Sequence, residues 1–270
     1  MRPRSAYAAR LLASAAIAAV LALSVAGCKT TGDDTTGSIG ASKAPRSDAE
    51  WRQSLDQWSG RYRDNPGDAD VAITYARALR ATDQRAQAVA VLEQASLRNP
   101  HNMPLLGAYG RALAEAGNYS QALDAFSRAH TPDQPDWRIL NAQGAVLDQM
   151  GRHAEAQRIY SSALKIVPDE PSVLSNLGLS YALMKDLKRA EVTLRRAVAQ
   201  PKAHPKVRQN LALVIGLRGR FAEAETIARA DLPEDEAAAN VGYLRQMLSQ
   251  QSEWQKTGQR PYVPPPDPGT

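Results

Sequence analysis

Small residues recur every 34 positions through the middle of this 270-residue sequence. Ala88, Ala122, Ala156, Ala190 and Ala224 form one ladder, and Ala76, Gly110, Gly144, Gly178 and Ala212 form another, twelve positions earlier in each copy. Larger side chains keep the same step: Tyr75, Tyr109, Gln143, Leu177 and Leu211; then Leu79, Leu113, Leu147, Tyr181 and Ile215; then Leu92, Phe126, Tyr160, Leu194 and Ala228. A unit this short cannot enclose a core of its own. It must be one supersecondary element that buries its apolar side against its neighbours.

Spacing inside each copy points to helices. Apolar residues at i, i+4 and i+7, such as Ala72, Ala76 and Leu79, fall on one helical face. An alanine or glycine on each facing surface lets two helices approach closely, and the leucines and aromatic rings fill the space around that contact. Gly117, Gly151 and Gly219 read as helix stops, because glycine takes the left-handed conformation without a Cβ penalty. Asp83 and Lys185 hold the same place in two other copies. Pro171 and Pro205 suit a first helical turn, and Pro100 and Pro168 close two units. The expectation is an all-α chain with five helix pairs over residues 67–233.

Helical flanks complete that array. Residues 48–66 carry Trp51, Leu55, Trp58 and Tyr62 on one side, with Asp48 placed to cap the first turn. They read as an N-terminal capping helix. Residues 234–255 form a second cap, in which Val241, Leu244 and Met247 cover the last repeat and Trp254 packs nearby. Residues 256–270 are a proline-rich tail without a folded core.

The copies resemble the tetratricopeptide repeat. The fourth does so through Leu174, Leu177, Gly178, Tyr181, Ala190, Leu194 and Ala197, and the third through Leu140, Gly144, Leu147, Ala156, Tyr160, Ala163 and Pro168. The tryptophan usual near the start of each copy is replaced by Ala72, Leu106, Leu140, Leu174 and Arg208. Asp231 stands where an alanine is usual, so the fifth copy is expected to be distorted or to act as a cap. The resemblance implies a right-handed superhelical solenoid whose first helices line a concave peptide-binding groove. Carried onto this chain, its candidate lining is Ile73, Arg77 and Arg80, then Arg111 and Glu115, then Arg138 and Asn141. It continues with Ser175 and Leu179, then Gln209 and Leu213. Such a groove begins basic and ends apolar, complementing a protein segment that is acidic toward one end and leucine-like toward the other. Asn176 and Asn210 sit where the family's carboxylate-clamping asparagines do, but apart from Lys206 the matching lysines are missing.

The chain opens with Arg2, Arg4 and Arg10, followed by an apolar run from Leu11 to Gly27. Residues 1–27 therefore read as a signal peptide. Val25, Ala26, Gly27 and Cys28 resemble the lipobox of bacterial lipoproteins, which implies lipidation at Cys28 and cleavage before it. Residues 28–47, small and polar after the cysteine, read as a lipidated flexible tether. Lys29, in place of an aspartate, favours a lipid-anchored position in the outer membrane facing the periplasm.

The composition argues against several chemistries. Of 33 basic residues against 28 acidic ones, three arginines lie in the signal, leaving a near-neutral chain with no basic stripe interleaved with aromatics for nucleic acid. Cys28 is the only cysteine, and His101, His130, His153 and His204 share no metal-ligand spacing. No nucleophile elbow, phosphate loop or dinucleotide fingerprint is present, so neither catalytic residues, a cofactor nor a small-molecule substrate is expected. Glu155, Glu191, Glu223 and Glu225 on second helices read as solvated salt-bridge partners.

The lipobox, the tether, the stretch ALVIGLRGRFAEAETIARADL and the following NVGYLRQML are together similar to the TadD family, tetratricopeptide lipoproteins of the tight adherence (Flp) pilus. That resemblance implies a scaffold that assembles or stabilises the pilus secretin, with the secretin or other pilus components as partners. The alternatives are a periplasmic adaptor for peptidoglycan hydrolases or synthases, and a factor for outer-membrane protein assembly.

Overall fold

The computed structural model describes residues 47–257, and every regular element among them is an α-helix. The signal peptide, the lipobox with Cys28, the tether before Ser47 and the tail from residue 258 lie outside the described residues, as does the side chain of Trp254. Where the sequence predicts one unbroken array, the chain divides into two compact units, with the division between Ile166 and Val167.

The first unit contains α1 (Asp48–Asp64), α2 (Ala69–Ala81), α3 (Arg85–Arg98), α4 (Met103–Glu115), α5 (Tyr119–Arg128), α6 (Trp137–Gln149) and α7 (His153–Ile166). The second contains α8 (Pro171–Leu183), α9 (Leu187–Val198), α10 (Pro205–Leu217), α11 (Phe221–Ala228) and α12 (Glu234–Thr257). Helix α12 runs two residues past the end expected from the sequence, so the tail begins later than residue 256.

Each first helix of a pair starts the same way. Asp68, Asn102, Asp136, Glu170 and His204 stand 34 apart, and each side chain accepts a hydrogen bond from a backbone N–H of the turn it opens. Asp68 Oδ1, for example, accepts from Asp70 N at 2.9 Å and Val71 N at 3.1 Å. Helix α1 corrects the sequence reading by one residue. Ser47, not Asp48, is its cap, and Ser47 and Glu50 exchange side-chain and backbone hydrogen bonds in a capping box.

The turns inside the pairs are equally regular. Asp83, Gly117, Gly151, Lys185 and Gly219 all take positive φ, between 62° and 82°. The next residue then donates its N–H back five positions, to the carbonyls of Leu79, Leu113, Leu147, Tyr181 and Ile215. Two copies hold this left-handed conformation without glycine.

Between the helices of a pair the two small-residue ladders do different work. Ala88, Ala122, Ala156, Ala190 and Ala224 are wholly buried on the second helices. Gly110, Gly144 and Gly178 lie on the first helices beneath Phe126, Tyr160 and Leu194, and a Cβ on any of them would fall 2.5–2.6 Å from those side chains. A glycine on one helix thus makes room for a large side chain sixteen positions on. In the last pair the opposing residues are Ala212 and Ala228, and both join a small cluster with Ala237 of α12. Gly216 packs against Leu244, so α12 covers the end of the fifth pair. Helix α11, the second helix of that copy, is eight residues long.

Candidate functional site

In the first unit, the structure brings together the basic end of the expected groove. Ile73, Arg77 and Arg80 project from α2, and Arg111 and Glu115 from α4. Ile73, Ala76 and Ala108 line one pocket with Arg77, Arg80 and Arg111 around it. Arg77 and Arg111 occupy the same place in successive copies, so their meeting follows from the repeat.

The three arginines are held differently. The Arg80 Nε donates to Glu115 Oε2 at 2.7 Å, and its Nη2 donates to Oε1, giving a forked pair between helices. Arg111 lies over Gly107, where a Cβ would sit 3.3 Å from Nη1 and would also crowd Ile139. Arg77, half-buried, makes no hydrogen bond or ion pair among the described residues. The next first helix, α6, carries Arg138 stacked on Trp137, with 4.5 Å between the guanidinium carbon and the ring centroid, and a half-buried Asn141.

Further along α6, Asp148 is engaged by two side chains of α7. Asp148 accepts a hydrogen bond from the Tyr160 hydroxyl at 3.1 Å and lies 2.8 Å from His153 Nδ1. Burial, reinforced by the Asp148 carboxylate, pushes the Tyr160 phenol well above its ordinary range.

In the second unit, Leu179, Gln209 and Leu213 are half-buried. Ser175 is a correction. It is buried, and its hydroxyl accepts a hydrogen bond from Asn210 Nδ2 at 2.9 Å, so it is satisfied inside the unit rather than presented to a ligand. The same bond engages Asn210, one of the two asparagines at the family's clamp position.

Glu191 is a second correction. It is buried rather than solvated, and Arg195 Nε at 2.8 Å, Arg220 Nη1 at 2.9 and 3.0 Å and Arg218 all reach its carboxylate. Arg195 also donates to Glu223 at 2.6 Å, and that hydrogen bond is the main cause holding the Glu223 carboxyl below its ordinary range. The signal available in the sequence was the pair of arginines around Gly219, read there only as a turn. Among the described residues no group of three His, Cys, Asp or Glu side chains is placed to hold a metal ion.

These helix pairs, capped and turned alike in each copy, define an α-helical repeat protein of the kind that presents surfaces to other proteins. The tetratricopeptide-repeat family model matches residues 80–145 and 149–214, and the helix pairs there are tetratricopeptide repeats. Among solved structures, PilW, a widely conserved type IV pilus biogenesis factor, is 16% identical with a TM-score of 0.63, covering 72% of this chain and 91% of that one. The Cut9–Hcn1 hetero-tetramer of the APC/C is 16% identical with a TM-score of 0.59, covering 73% of this chain. This chain spans only 40% of the length of that one. At such identities the likeness shows the fold. No curated protein sequence matches.

Proposed function

We propose that this protein is a lipid-anchored periplasmic scaffold of the outer membrane that assembles or stabilises a Tad/Flp pilus secretin complex. The observation that carries the docking part is the arginine-rimmed pocket between α2 and α4, where half-buried Arg77 has no counter-ion among the described residues. A repeat array that spends its glycines and alanines on internal packing offers its outward side chains to a partner. The anchor rests on the lipobox ending in Cys28, and the pilus assignment rests on the TadD-like residues of the fifth copy and of α12. The fold shared with a type IV pilus biogenesis factor is in keeping with that role.

Crosslinked co-purification from membranes tests the partner. Recovery of a secretin is the expected result, and recovery of a murein hydrolase without a secretin overturns the assignment. Replacing Cys28 with serine tests the anchor. The variant should leave the outer-membrane fraction and keep its signal peptide, and an unchanged fraction would remove the lipid from the reading.

A further inference from the structure

Helix α1 keeps the register of the repeat but lacks a pair. Ser54, Trp58 and Arg61 stand 34 residues before Ala88, Leu92 and Ala95, so α1 occupies the place of a second helix. Ala88, Leu92 and Ala95 are wholly buried. In later copies Phe126, Tyr160 and Leu194, the counterparts of Leu92, each lie over a glycine of their own first helix. In α1, Ser54 and Trp58 are half-buried and Arg61 is exposed, and among the described second helices α1 alone buries no residue. Among the described helices it touches only α2. Leu55 and Tyr62 join the core there, and Trp51 and Trp58 are not part of it. At the matching steps ahead of α1 the sequence has Ser38, Ala41 and Pro45 in place of Leu106, Tyr109 and Leu113, which supplies no apolar stripe to cover it.

Trp51, Ser54 and Trp58, at i, i+3 and i+7, share one helical face, with the small residue between two rings. A two-fold axis passing beside Ser54 brings a second α1 antiparallel to the first. It sets Trp51 against Trp58 of the second copy on both sides and lets the helices close over two serines. The charges agree with that direction. The first turn of α1 is acidic, through Asp48 and Glu50, and the last is basic, through Arg61 and Arg63. Antiparallel packing lays the acidic end beside the basic end twice over, with the two helix dipoles running opposite ways. Arg61, stacked on Trp58 with 4.6 Å between guanidinium carbon and ring centroid, stands where Ala95, Ala129, Ala163 and Ala197 are buried in complete pairs. An ordinary apolar first helix laid on α1 would bury that charge.

From this register we propose that α1 is an interface between two copies of this chain, packed antiparallel about a two-fold axis, with Trp51 and Trp58 of each copy filling the place of the missing first helix. The 17 residues of α1 span about 25 Å. One such helix pair falls short of the roughly 1,200–2,000 Å² of a standard stable interface, so the dimer dissociates on dilution in about the micromolar range. This interface is independent of the pilus reading and of the arginine-rimmed pocket.

Sedimentation velocity on the full chain in mild detergent, over a dilution series, should show a monomer–dimer equilibrium. Trp58→Ala, with an unchanged thermal melt, should weaken it about tenfold or more, and Trp51→Ala should act alike because each ring meets the other. Leu97→Ala, at an exposed apolar residue of α3, should leave it unchanged. If the tryptophan variants fold poorly, a crosslink decides. In a Cys28→Ser background, Ser54→Cys should give a disulfide-linked dimer on mild oxidation, and Ser127→Cys, exposed on α5, should not. The proposal is overturned if the chain is monomeric throughout, if Trp58→Ala dimerises as the native chain does, or if Ser54→Cys crosslinks no faster than Ser127→Cys. A monomer whose tryptophan fluorescence shifts on phosphatidylethanolamine vesicles puts a lipid surface on α1 and overturns it equally.

Discussion

Arg208 and Asp231 form a forked ion pair in the second unit, with Arg208 Nε 2.7 Å from Asp231 Oδ2 and Nη2 donating to Oδ1. The same two positions in the preceding repeat hold Leu174 and Ala197, both buried. Two departures from the repeat pattern, 23 residues apart, therefore satisfy each other. The Asp231 carboxylate is 7% exposed, so the pairing decides whether that charge is tolerated.

Removing one member should cost more than removing both. Arg208→Leu leaves the Asp231 carboxylate buried and unpaired, and should destabilise the protein by about 3 kcal/mol. The double change Arg208→Leu with Asp231→Ala restores the preceding repeat's residues and should recover most of that loss. Urea denaturation of the native chain, both single variants and the double variant measures the coupling.

Gly144 lies under the Tyr160 ring, and a Cβ there would sit 2.5 Å from Cε1. Gly144→Ala should therefore destabilise by about 1–3 kcal/mol, even though alanine is the better helix former. Ala156→Leu, at a wholly buried position of the facing helix, should act in the same direction. Thermal melts compare them, with Gly60→Ala as the control, because nothing lies within 4 Å of a Cβ at Gly60.

Lys185 holds a left-handed turn at φ 62° where three other copies use glycine. Lys185→Gly should stabilise the second unit by about 1 kcal/mol, since the Cβ strain is removed at a turn whose hydrogen bonds remain. Chemical denaturation followed by hydrogen exchange at α8 and α9 reports it.

Acid should loosen the ion pairs. Arg195 and Arg220 hold the Glu223 carboxyl below its ordinary value of 4.5, and backbone and side-chain bonds from Arg189 do the same for Asp186 relative to 3.8. A carboxyl whose folded value is depressed contributes stability that is present above the unfolded value and is lost as pH falls through the folded one. Stability should fall below about pH 4.5, and Glu223→Gln should flatten that slope.

Alkali should act on Tyr160. Its phenol titrates well above 10.0 in the folded chain, chiefly through burial, so the folded state is favoured fully below pH 10.0 and loses ground as pH rises beyond it. Ultraviolet titration should show a phenol that ionises only with unfolding, and Tyr160→Phe should abolish that component.

The repeat, its helix pairs and its stops were legible because they depend on local chemistry repeated at fixed steps. Glycine's left-handed freedom, proline's place in a first turn and the 3.6-residue periodicity each act within a few residues. The capping ladder from Asp68 to His204 was equally local, although its members are four different residue types and their shared role shows only once the helix starts are located. The arginines of the pocket could be placed on first helices by register alone. What register could not decide was which side chains are already spent. Ser175 looked outward by position, yet Asn210, 35 residues on, holds its hydroxyl inside. Glu191 looked solvated, yet arginines from three later positions close over it. Sequence alone determined the helices and the rhythm of their packing, because those follow from backbone conformation and side-chain size. Only the tertiary structure settled which polar groups remain free, because a hydrogen bond between helices depends on distances in space that a one-dimensional pattern does not contain.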